Sequence, residues 1–76
     1  MKLNKIGSNQ SELHLDSGAI VFFSYNTPVA AFIPNEGYIR TMTKFSVTTT
    51  KHLNKWLRGV GGKYVPQNVL NNLVEG

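Results

Sequence analysis

The residues of this sequence best suited to chemistry are cations, hydroxyls and one imidazole, gathered in a single stretch. Lys51, Lys55 and Arg58 stand at i, i+4 and i+7, the spacing of one helical face, with His52 and Asn54 beside them. Leu53, Trp56, Leu57 and Val60 form an apolar stripe opposite. A helix anchored through one side and offering cations from the other is what phosphate binding requires. Thr48, Thr49 and Thr50 precede the stripe. One of them, Thr48 or Thr49, is expected to cap the helix. The free N–H groups there, with Thr48-Thr49-Thr50-Lys51, would form a cradle for a phosphate. Arg40 and Lys44, placed on one face of a preceding strand, would extend the patch. Tyr38 on that face, and Tyr25 at the end of another strand, are the residues expected to stack on bases if exposed. The plainer alternative is a solvated amphipathic helix whose threonines only cap it.

Catalysis has less behind it. The four acids, Glu12, Asp16, Glu36 and Glu75, are scattered and suggest no carboxylate pair. Two histidines with no cysteine do not make a metal site, and no cofactor is implied. A Ser-His-Asp arrangement would need Ser24 or Ser46, His52 and Asp16 to converge, and nothing in their spacing suggests it. One enzymatic alternative is kept: a metal-free ribonuclease, with His52 as general base and Lys51, Lys55 and Arg58 stabilising the phosphorane.

These residues need a scaffold, and 76 residues make one domain. A chain of this size buries about 60% of its unfolded surface, enough for a shallow core. The hydrophobic fraction of 41% suits a globular chain. The longest apolar run, residues 19–23, is far short of the ~18 needed to span a bilayer, and the opening residues lack the apolar core of a signal peptide. A cytoplasmic protein is expected. Net charge is +4 and the pI about 9.7. Between Glu36 and Glu75 there are six cations and no acid. Such asymmetry points to an anionic partner.

The pattern predicts strands over residues 2–6, 12–16, 19–25, 28–33 and 38–46. Leu13 and Leu15 should face inward, with Glu12, His14 and Asp16 toward water. The run 19–25 is apolar throughout and should lie centrally, covered on both faces. Asn26-Thr27 should close the hairpin into Pro28. The small pair Ala30-Ala31 leaves room for Trp56 or a phenylalanine, and Phe22, Phe23, Phe32, Phe45 and Trp56 should all be core. A helix from Thr48 or Thr49 should end at Gly59 or at Gly61-Gly62. Pro66 should open a second helix over 67–74. The expected fold is α+β: an antiparallel meander of four to five strands followed by two short helices packed on one face, or a partly closed barrel with helical cover.

The block Ser24-Tyr25-Asn26-Thr27-Pro28-Val29-Ala30, then Thr41, Lys44-Phe45-Ser46 and Thr48-Thr49-Thr50-Lys51-His52-Leu53-Asn54-Lys55-Trp56-Leu57, resembles an uncharacterised family of small bacteriophage and mobile-element proteins. The resemblance covers residues 7–58. It implies expression in a bacterial cytoplasm and names no substrate. Three roles follow as expectations. The first is a non-catalytic module for nucleic acid or another phosphorylated anion. The second is a protein-interaction module, acting on a host enzyme or defence complex and able to dimerise through an edge strand. The third is sequestration of a small phosphorylated molecule at the helix start.

Overall fold

Tight turns set five antiparallel strands in succession along the chain, and the computed structural model describes residues 1–75. They are β1 (Lys2–Gly7), β2 (Gln10–His14), β3 (Ile20–Ser24), β4 (Thr27–Ile33) and β5 (Gly37–Thr41). Helix α1 (Val47–Leu57) follows, then a short strand β6 (Lys63–Val65), then helix α2 (Gln67–Glu75). The sheet runs in simple order, β1-β2-β3-β4-β5-β6. All neighbours are antiparallel except β5 and β6, which α1 connects as a parallel pair. The sheet is therefore mixed and has six strands, where four or five antiparallel ones were expected. The missed strand is three residues long, too short to show any periodicity.

Asn9, Tyr25 and Asn35 take positive φ at three of the turns. The β3–β4 hairpin turns on Tyr25-Asn26, because Ser24 pairs with Thr27. The expected Asn26-Thr27 turn is thus displaced by one residue: Thr27 joins the ladder, and Tyr25 adopts the left-handed conformation at φ 59°. Between α1 and β6, Gly62 has φ +81°, and a Cβ there would lie 3.5 Å from the Tyr38 carbonyl. That spacing is ordinary contact, so it is the left-handed backbone, which L side chains rarely adopt, that favours glycine here.

Successive strand residues point to opposite faces. Val21 and Phe22 are both fully buried, and so are Ala30 and Ala31, so both faces of the sheet need cover. Leu53 and Leu57 of α1 pack on Phe22, Val29 and Ala30. Leu70 of α2 packs on Leu13, Val21 and Ala31 on the other side. The helices sandwich the sheet and do not share a face as expected. A register shift in β4, where Phe22 pairs with Ala30 but Phe23 with Pro28, leaves Val29 as an extra residue beneath α1. Full burial of Phe22, Leu57, Leu70 and Val21 stabilises the fold by about 1.5–3 kcal/mol each. Phe45 lies outside this core at 39% exposure. It sits in the turn before α1, because β5 ends at Thr41.

Candidate functional site

Helix α1 begins at Ser46, which has extended backbone angles and accepts the Thr49 N–H on its hydroxyl at 3.2 Å. The cap is therefore Ser46, not Thr48 or Thr49. Thr49 sits at i−4 from Leu53 and i−8 from Leu57, on the buried stripe, so its side chain turns inward. There it meets Ser24 from β3, Oγ to Oγ1 at 3.1 Å. Ser24 Oγ also lies 2.9 Å from His52 Nδ1, and Ser46 Oγ 3.3 Å from Thr49 Oγ1. One donor sequence consistent with this geometry runs from His52 Nδ1–H to Ser24, and from the Ser24 hydroxyl to Thr49. A buried hydroxyl needs such partners. The network ties α1 to the central strand.

The same bonds alter the expected phosphate cradle. Thr49 N–H is engaged by Ser46 Oγ, and Thr50 gives both its N–H and its hydroxyl to the Ser46 carbonyl. Thr49 is buried. Of the threonines, Thr48 and Thr50 reach solvent.

The cations divide into two groups. Lys51 and Lys55 are exposed on α1, and Arg58 is exposed at its end. Arg58 itself closes the helix in a left-handed conformation, its N–H on the Asn54 carbonyl at 3.0 Å; Gly59 follows the cap. Lys44 is off the β5 face where it was expected. Thr41 Oγ1 accepts the Thr43 N–H at 3.0 Å and bends the chain away after the strand ends. Arg40 stays on β5, but its guanidinium lies over Tyr64, 4.7 Å from the ring centroid, with Nη1 3.5 Å from the Gly61 carbonyl. The expected Tyr38–Arg40 platform is thus an Arg40–Tyr64 pair. Tyr38 is half-buried against Phe32 at 5.0 Å and edge-on to Trp56 at 5.8 Å. Tyr25 is exposed at the hairpin turn, its ring 6.0 Å from that of His52.

A groove that the sequence did not announce opens beyond the end of α1. Trp56 stacks on Phe22 with ring centroids 5.0 Å apart and planes 11° apart, and its indole N–H donates to Glu12 at 2.6 Å. Glu12 also meets His14 Nε2 at 3.1 Å. Glu12 and His14 do not simply face water: their strand face is the one α1 covers. Ile20, Phe32, Tyr38, Trp56 and Glu12 line the groove, together with the exposed Lys55 and Arg58 from the end of α1. Its volume is about 750 Å³. The signal was an indole on the buried stripe, whose N–H needs an acceptor.

A family model described as a family of unknown function, DUF8033, matches residues 1–72. The chain belongs to that family. No curated protein and no solved structure matches it. The match extends past the block at 7–58 to take in β1, β6 and most of α2.

In this DUF8033 chain Ser24 and His52 converge, which their spacing did not suggest, so His52 does have a partner. Asp16 does not join them. It pairs with the Met1 ammonium, whose hydrogen bond and charge hold the carboxyl below its ordinary range. Ser24 is 1% exposed, and its bonds to His52 and Thr49 brace α1 against β3. No helix among the described residues is long and apolar enough to cross a membrane.

Proposed function

We propose that this chain is a non-catalytic module that binds nucleic acid through the cationic side of α1 and the surface beside it. One observation carries the reading. Lys51, Lys55 and Arg58 are exposed together, and among the described residues no Lys or Arg pairs with a carboxylate. Cations left unneutralised by the fold attract phosphate, and their contacts make affinity fall with salt. Arg40 and Lys63 lie on the neighbouring strands β5 and β6 and add to the same field. An origin in a phage or mobile element, and a bacterial cytoplasmic setting, belong to this proposal and rest on the sequence block alone. The test is fluorescence anisotropy of a labelled oligonucleotide from about 50 to 200 mM salt. The reading predicts binding that weakens steeply across that range; absence of binding at the low end overturns it.

A second reading, a protein interface, is favoured by the outer strand. Leu3 is 64% and Ile6 47% exposed on β1, which pairs on one side only. An open edge of this kind accepts another strand, from a second copy or a partner protein. Sedimentation equilibrium of the wild type against Leu3→Lys tests self-association, which the substitution should abolish.

A further inference from the structure

We propose that the groove beyond α1 takes an unstacked base of a single-stranded nucleic acid, with the strand's phosphates running along Lys55 and Arg58. The inference rests on the nucleic-acid reading and names the form of the ligand.

The charge in the groove is sorted by position. Glu12 is held against the aromatic residues by its bond from the Trp56 N–H, while Lys55 and Arg58, which also line the groove, are exposed to solvent near the end of α1. A phosphate placed beside the Glu12 carboxylate would be repelled, and one beside the two cations would be held. A neutral, flat group is what the remaining surface suits. A nucleobase joined to a phosphate chain supplies both parts at the right polarity.

The aromatic surface is also held in place before any ligand arrives. Trp56 is clamped between its stack on Phe22 and its hydrogen bond to Glu12, and Tyr38 is wedged between Phe32 and Trp56. Both are half-buried, and both line the groove, so each keeps part of its ring toward it. Rings already fixed lose little freedom on binding. Base–aromatic stacking tolerates any sequence and strengthens binding by roughly 5- to 150-fold per base. In a duplex the bases are sealed within the stack, and entry would first require one to be unpaired and swung out. The groove therefore selects single strands, whereas cations alone would not.

Trp56 is the chain's sole tryptophan, so its emission reports the groove directly. A labelled single strand of about eight nucleotides and the matching duplex are titrated at low salt, following probe anisotropy and Trp56 emission together. The single strand should raise anisotropy and quench Trp56 with one midpoint, while the duplex binds at least about fivefold more weakly and leaves Trp56 emission unchanged. Tyr38→Leu should weaken the single strand and leave the duplex unaffected. Lys55→Ala should weaken both while keeping the full quench at saturation. Anisotropy that rises with Trp56 emission unchanged, or a duplex that binds as tightly as the single strand, overturns the base-in-groove inference and leaves the nucleic-acid reading standing. No anisotropy change with either probe overturns the nucleic-acid reading itself.

Discussion

Ser24 Oγ stands 2.9 Å from His52 Nδ1 and 3.1 Å from Thr49 Oγ1, and Ser24 itself is only 1% exposed. Ser24→Ala removes the shared partner: His52 Nδ1 loses its bond to the strand, and Thr49 Oγ1 keeps only Ser46 Oγ. The expected loss is about 1–3 kcal/mol, since an orphaned buried group keeps its desolvation cost. In a domain of this size each kcal/mol lowers the melting temperature by about 4–8 °C. Thermal unfolding followed by circular dichroism measures it, and an unchanged melting temperature would show that the network contributes nothing.

The position of the helix cap makes two neighbouring hydroxyls unequal. Ser46→Ala removes the acceptor for the Thr49 N–H and should cost about 1 kcal/mol. Thr48→Ala, at an exposed site two residues on, should stay within about 0.5 kcal/mol of wild type. Urea midpoints of the two variants decide the matter; the reverse order would return the cap to Thr48.

Much of the fold was legible because its signals are local. The apolar run 19–25 and the alternation around it mark β2, β3 and β4, and Pro66 marks the start of α2. Strand β6 was hidden because Lys63, Tyr64 and Val65 pair with a strand more than twenty residues earlier. The Ser24–His52 contact spans 28 residues and leaves no local trace. Its one sign was compositional: Ser24 is a hydroxyl inside an apolar strand, where a buried position requires a polar partner. Thr49 gave a similar sign, standing four residues before Leu53 on the apolar stripe. Reading it as a cap favoured the commonest role of threonine over its position. The cations of α1 were legible as a group because helical spacing is a local property. Their relation to Glu12 and Trp56 was not, since it depends on β2 meeting the far end of the helix.

Packing on both faces sets a further expectation. Leu57→Ala opens a cavity between α1 and the sheet, and Leu70→Ala opens one between α2 and the opposite face. Each should cost about 2–5 kcal/mol. The two belong to separate clusters, so their effects should add, and the double variant should be largely unfolded, given that domains have only about 5–15 kcal/mol in total. A double variant no less stable than the singles would contradict the sandwich.

Asp16 should show its pairing with Met1 on titration. The hydrogen bond from the ammonium is the larger cause and its charge the second, and both lower the carboxyl from its ordinary 3.8. A depressed folded value means a contribution to stability that is complete above the unfolded value and disappears as pH falls through the lower folded one. Carbon-detected magnetic resonance of the Asp16 carboxyl should give a midpoint below 3.8. Acetylating the amino terminus should raise it, and a midpoint insensitive to acetylation would exclude the pair.

The last prediction separates the cations by position. Lys51, Lys55 and Arg58 share the side of α1 proposed to meet phosphate, whereas Lys44 lies in the turn before it. For each phosphate contact removed, the slope of log affinity against log salt should fall by about 0.7 for a single strand. Lys51→Ala, Lys55→Ala and Arg58→Ala should each show such a decrease, and the triple variant roughly their sum. Lys44→Ala should leave the slope near the wild-type value, because the bend after Thr41 takes it off the β5 face. None of the three helix-side residues pairs with a carboxylate among the described residues, so their removal should move the melting temperature little. Equal slope changes at Lys44 and Lys55 would mean that net charge alone, not the face of α1, governs binding.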